Sequence, residues 1–235
     1  MGQAALQSAR RLATIILIVC APPLSIAKPR HFARIPPGPS CNDQGPDTFY
    51  FPTGTFTRHD NILPPLPADR IAALEQGTRN YVSAHLVAMD EPSLSCGSPA
   101  ADESYRFIFT PSFTKPISVR IARTGDTYDL HAVVLSHAIS FVPDQGATKP
   151  GGVVQRVDRR LTKEEWDEMS ATLKRIGFWS LSTELSGDGP GPDGSSWIIE
   201  GRAGAYHIVE RWVGGEDTQE AGEKFLALAG ISLSD

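Results

Sequence analysis

The sequence lacks the short motifs that identify the common catalytic and cofactor-binding sites. Its 6 histidines include no H-E-x-x-H pair and its 3 cysteines include no C-x-x-C pair, so no zinc site is indicated. It has no G-x-S-x-G nucleophile elbow, no phosphate-binding loop ending in Gly-Lys-Ser/Thr, and no dinucleotide fingerprint joining a strand to a helix. We therefore expect neither a metal nor a cofactor, and we favour a non-catalytic function.

Positive charge is also scarce. The chain has 22 lysines and arginines against 27 aspartates and glutamates, and two of the arginines lie within the first 27 residues. Without that segment, 20 basic and 27 acidic residues remain, which is a net charge of −7. This excess of acid argues against nucleic acid or an anionic membrane as the main partner.

The N-terminal segment, residues 1–27, has the pattern of a secretory signal peptide. Two arginines precede an apolar run over residues 12–21, and small residues lie at positions 25 and 27. The apolar run is about half of the ~20 residues that cross a bilayer, so we expect no transmembrane span in the mature chain. We predict cleavage after Ala27 and a periplasmic or secreted protein, with lipid anchoring at Cys20 as the alternative.

Two cysteines remain after cleavage, Cys41 and Cys96. In an oxidising compartment an isolated pair is most simply a disulfide, and closing a loop of about 55 residues would contribute roughly 4 kcal/mol. Cys41 lies in the proline-rich stretch 28–67, which we predict to be an extended arm because proline cannot donate to a hydrogen-bonded ladder. The disulfide would fasten this arm to residues 68–235, which we predict to be a single domain.

Residues 68–235 alternate between helical and strand patterns. After a first helical pattern, the strand "SYRFIF" places three aromatic residues on one face and Arg106 with Ile108 on the other. The clearest helix follows a capping box formed by Thr162 and Glu165. The order helix, four strands, helix, two strands, helix predicts an α+β fold: an antiparallel sheet of about six strands with helices packed on one face.

The stretch 195–212 predicts a β-hairpin whose turn allows two registers. A two-residue turn at Ala203 and Gly204 separates apolar from polar side chains, whereas a type I turn with Gly204 as a bulge suits the turn residues better but mixes the faces. We favour the first register, in which Glu200 lies directly opposite His207. Its polar face is the predicted binding surface: Glu200, Arg202, His207 and Arg211.

The hairpin sequence W-I-I-E-G-x(4)-Y-H-x-V-x-R-W, at residues 197–212, resembles a family of uncharacterised exported bacterial proteins. The segments "DEPSLS" at 90–95, "SYRFIF" at 104–109 and "GFWSL" at 177–181 resemble the same family. The likeness covers about residues 81–231. It implies a common fold, but it implies no activity and no ligand.

These patterns favour an exported binding or accessory protein of the bacterial envelope, whose partner is another protein or an envelope glycan. The alternative is a small hydrolase in which Glu200 and His207 form an acid–base couple, with a metal near Asp188 and Asp193. The loop that carries both aspartates has neither tandem Gly-Asp repeats nor the spaced carboxylates of an EF-hand. We therefore assign no metal ligands.

Overall fold

The computed structural model describes residues 50–56, 67–96, 100–142, 146–184 and 194–233. The predicted signal peptide, Cys20, Cys41, and all of the predicted arm except 50–56 and residue 67 lie outside these ranges. Cleavage after Ala27, lipid anchoring and the Cys41–Cys96 disulfide therefore stay predictions. No helix in the described ranges combines the length and the apolar composition that crossing a membrane requires.

The described residues form three α-helices and eight strands. The helices are α1 (Ala68–Ala88), α2 (Lys163–Arg175) and α3 (Glu216–Ala229), and a short 3-10 helix covers Phe178–Ser180. The strands are β1 (Glu103–Pro111), β2 (Ile117–Thr124), β3 (Thr127–Leu135), β4 (Phe141–Val142), β5 (Gly146–Ala147), β6 (Val153–Arg160), β7 (Ser195–Ala203) and β8 (Ala205–Trp212).

Six of these strands form one sheet in the order β6-β3-β2-β1-β7-β8, and every neighbouring pair is antiparallel. The short strands β4 and β5 pair separately with each other. The predicted α+β class and the predicted six-stranded antiparallel sheet are confirmed.

Helices α2 and α3 cover one face of the sheet. The capping box of α2 is present as predicted: the Thr162 hydroxyl accepts from the Glu165 N–H, and the Glu165 carboxylate accepts from the Thr162 N–H. Apolar residues spaced three and four apart along both helices then face the sheet, where they meet the aromatic residues of β1. The core on this side includes Tyr105, Phe107, Phe109, Trp166, Met169, Leu173, Trp197, Phe225 and Leu226.

Helix α1 adds a layer on the opposite face, which the sequence pattern did not predict. It buries Val82 and Leu86, together with Met89 just after the helix, against the alternate side chains of the sheet, including Ile108 of β1. The described stretch 50–56 of the predicted arm packs into the same core, with two phenylalanines buried. Helix α1 and residues 50–56 therefore cover part of the second face, so a residue that alternates away from α2 and α3 can be buried there.

The register that we favoured for the β7–β8 hairpin is wrong. Glu200 pairs with Ile208, Gly201 pairs with His207, and Gly204 alone forms the tip. Gly204 has φ of +70° and takes the whole left-handed turn, so Ala203 is spared a positive φ that would strain its Cβ. The observed pairing is one residue away from the favoured one, and this shift changes which side chains share a face.

Candidate functional site

The four predicted binding residues do not share one surface. In the observed register, Glu200 and Arg202 lie on the α1 side of the sheet, whereas His207 and Arg211 lie on the side of α2 and α3. Glu200 and Arg211 are also fully buried. The predicted polar hairpin face is therefore not formed, and the sheet separates Glu200 from His207, so the two cannot act as an acid–base couple.

Arg211 joins the end of the hairpin to two neighbouring segments. Its guanidinium donates to both carboxylate oxygens of Asp217 at the start of α3, with Nε–Oδ1 at 3.0 Å and Nη2–Oδ2 at 2.8 Å. Its Nη1 donates to the carbonyl oxygens of Ser182 and Thr183, both at 3.2 Å. Because all three of its nitrogens are engaged inside the protein, Arg211 has a structural role.

His207 packs beneath the 3-10 helix. Its ring centroid lies 5.0 Å from that of Phe178 and 6.0 Å from that of Trp179. Burial lowers the pKa of His207, an effect that the backbone of Phe178 and Leu181 partly opposes. This histidine is an aromatic packing residue.

A line of charged side chains crosses the α1 side of the sheet. Cross-strand pairing sets Glu200 of β7 opposite Arg106 of β1, and Arg106 opposite Arg120 of β2. The line continues to His131 of β3 and Asp158 of β6. We call these five residues the charged row. Directly opposed side chains on one face are close enough to interact, so the charged row is one electrostatic unit across five strands.

The charged row runs from the interior to solvent. The side chains of Glu200 and Arg106 are 0% exposed, that of Arg120 is 21% exposed and that of Asp158 is 64% exposed. His131, between the last two, is 15% exposed. A ligand can therefore reach the end of the row on β2, β3 and β6, and it cannot reach the end on β7.

Glu91, which follows α1, completes the buried end of the charged row. Arg106 donates from Nε and Nη2 to Glu200 Oε1, and from Nη1 to Glu91 Oε2 at 3.2 Å. The Tyr206 hydroxyl donates to Glu200 Oε2 at 3.0 Å. Each of these three charges therefore has an oppositely charged partner, although Glu91 Oε1 accepts no hydrogen bond from the described residues and lies 3.8 Å from His131 Nε2.

The two buried acids respond differently to this environment. Burial raises the pKa of Glu200, and the ion pair with Arg106 only partly offsets that effect. Burial also acts to raise the pKa of Glu91, but the combined attraction of Arg106 and Arg120 outweighs it and lowers that pKa. Glu91 is therefore a firmly held anion between two arginines.

Arg120 and His131 occupy the half-open part of the charged row. Arg120 Nε donates to Glu91 Oε2 at 2.8 Å, while its two terminal nitrogens donate to no atom in the described part of the chain. His131 Nδ1 lies 2.5 Å from Asp158 Oδ1, and Arg156 Nη1 lies 3.2 Å from His131 Nε2. Because a guanidinium only donates, Nε2 accepts in this contact, and Nδ1 carries the proton shared with Asp158.

Sequence reasoning missed Glu91, Arg106 and Arg120. The pattern placed Arg106 with Ile108 on the face away from the aromatic residues, and both are fully buried. The signal in the sequence was Ile108, an apolar residue on the same face of β1 as Arg106, which indicates that this face is also covered. A charge within such a strand must be paired in the interior.

Metal binding has no support in the described residues, where no group of three or more His, Cys, Asp or Glu side chains is placed to hold an ion. Asp188 and Asp193, near which the hydrolase alternative set a metal, lie outside the described ranges.

Comparison of the chain with protein-family models, with curated proteins and with solved structures gives no match. The resemblance based on the hairpin motif therefore stays a prediction, and the charged row must be interpreted from its own chemistry.

Proposed function

We propose that the protein is an exported binding or accessory protein of the bacterial envelope, and that Arg120 contacts its partner. The observation that supports the contact is the state of the Arg120 guanidinium. Its Nε is fixed to the buried Glu91, while both terminal nitrogens lack a partner in the described part of the chain. A guanidinium held in this way presents a planar pair of donors that matches a carboxylate or a phosphate.

The partner that best fits this surface is a protein with an exposed carboxylate. Around Arg120 the open end of the charged row alternates in sign, with Asp158 beside Arg156 on β6. Alternating charges of this kind select a partner by electrostatic complementarity and contribute less to affinity than apolar anchors do. Export is supported by the signal-peptide pattern of residues 1–27.

The test is capture of a partner from an envelope extract, with the purified protein as bait. Arg120→Lys keeps the positive charge beside Glu91 but removes the planar fork, so the bait should stay folded and retain at least about tenfold less partner. The matched control is Arg175→Gln on α2, where an exposed arginine is paired with Glu220. Equal capture by the wild type and Arg120→Lys would overturn the proposal, as would equal losses in both variants.

A further inference from the structure

Strand β6 forms one edge of the sheet and is largely exposed to solvent. It is eight residues long and pairs with β3 on one side. On its other side, no backbone hydrogen bond from the described residues reaches it. An exposed edge strand of this length is a template for pairing with another strand.

The backbone groups that face outward can be assigned from the ladder. The N–H of Leu161, which continues β6, donates to the carbonyl of Tyr128 in β3 at 2.9 Å. In an antiparallel ladder, alternate residues direct their N–H and C=O groups to the same neighbour. Arg156, Asp158 and Arg160 therefore direct theirs away from β3, toward the open edge.

The charges on this edge are complementary to themselves. Arg156 and Asp158 flank Val157 and share the α1 side of the strand, because side chains two residues apart point the same way. If two copies of β6 pair antiparallel about Val157, Arg156 of each copy lies directly opposite Asp158 of the other. These are also the positions whose backbone groups face outward.

We propose that β6 pairs with β6 of a second copy of this chain, which joins the two sheets about a two-fold axis at Val157. The two-fold rotation makes the two Arg156–Asp158 ion pairs equivalent, and backbone hydrogen bonds join the two copies of β6, as in an isologous interface.

The same charges explain why an unrelated strand would not pair here. Charged side chains on an edge strand normally oppose pairing, because a random partner leaves them unmatched or next to like charges. A copy of β6 matches them. Arg156 and Asp158 also flank the proposed partner contact at Arg120, but the test below measures self-association and so separates this proposal from partner capture.

Sedimentation velocity over a concentration series tests the proposal on the purified protein. The wild type should sediment as a monomer–dimer equilibrium. Arg156→Asp or Asp158→Arg alone sets like charges opposite each other twice per dimer and should weaken dimerisation at least about tenfold. The double variant R156D/D158R exchanges the signs, re-forms both pairs, and should dimerise nearly as well as the wild type.

Arg175→Asp on α2 is the control, because it changes the net charge by the same amount as R156D without touching β6. Thermal melting of each variant verifies that it is folded. A wild type that stays monomeric at the highest concentration overturns the proposal. So does a dimer that neither single reversal weakens, or a double variant that remains as monomeric as the single ones.

Discussion

Replacing Arg106 with methionine should reduce the free energy of unfolding by about 3–5 kcal/mol, because the change leaves two buried carboxylates without their shared cation. Glu200 would lose both donors from Arg106 and keep only the Tyr206 hydroxyl, whereas Glu91 would keep Arg120. Methionine is a flexible apolar side chain that fills irregular space, so packing should change little and the loss should report the unpaired charge. That loss is a large fraction of the ~5–15 kcal/mol that stabilises a typical domain.

Urea unfolding followed by circular dichroism measures this effect. The matched double variant R106M/E200M removes the cation together with the more buried acid and leaves Glu91 paired with Arg120. We expect it to be at least about 2 kcal/mol more stable than R106M, because its remaining charges are paired. The reasoning is refuted if R106M lies within about 1 kcal/mol of the wild type, or if the double variant is no more stable than R106M.

Two further predictions concern a buried histidine and two helix glycines. Burial lowers the pKa of His85, so the unfolded chain binds more protons below about pH 6.5. The free energy of unfolding should then fall by up to about 1.4 kcal/mol per pH unit below about pH 6.5 because of this histidine, and above about pH 7 the histidine should have no effect on it. Urea unfolding should show a smaller acid loss in His85→Gln, whose side-chain oxygen can still accept from the Ile139 N–H, and an unchanged loss would contradict the assignment. In thermal melts, Gly222→Ala should destabilise the protein by about 1–3 kcal/mol, because the added Cβ would lie 2.6 Å from the Trp197 ring. Gly77→Ala should stabilise it by about 0.5–1 kcal/mol, because a Cβ there would have no atom within 4 Å. Shifts of the same sign in both variants would refute the packing argument.

The parts of the fold that the sequence predicted are those determined by local chemistry. Helix α2 has its start fixed by the predicted capping box of Thr162 and Glu165, and Gly177, with φ of +68°, lies just beyond its end. These signals act over three or four residues and do not depend on the remainder of the chain. The α+β class likewise follows from the order of locally specified helices and strands.

The hairpin register could not be predicted because the premise about its faces did not hold. The favoured register follows from the premise that one face of the sheet is apolar and the other is solvated. Helix α1 covers the second face, so Glu200 is buried beside Ile198 of the same strand in a core that also contains polar groups. The preference of Gly204 for a positive φ was the better guide to the turn.

The candidate site was hidden from the sequence for a related reason. Arg120 and Glu91 are 29 residues apart in the chain, and neither lies in a recognisable motif. Their proximity depends on where the segment after α1 crosses β1 and β2, which is a tertiary property. Only the arginine within the apolar strand β1 signalled that a buried ionic group was present.

The charged row also constrains the order in which the strands of the sheet can assemble. Arg106 and Glu200 are separated by 94 residues, and β7 is formed from a late part of the chain. An early meander of β1, β2 and β3 would set Arg106 directly opposite Arg120, two like charges that destabilise a strand pair until an acid is present. Glu91, which precedes β1 in the chain, can bridge these two arginines, whereas Arg106 Nε and Nη2 have no carboxylate acceptor until β7 brings Glu200 beside β1. We expect a single cooperative folding transition in which β7 joins β1, β2 and β3, and we expect few partly formed sheets to be populated.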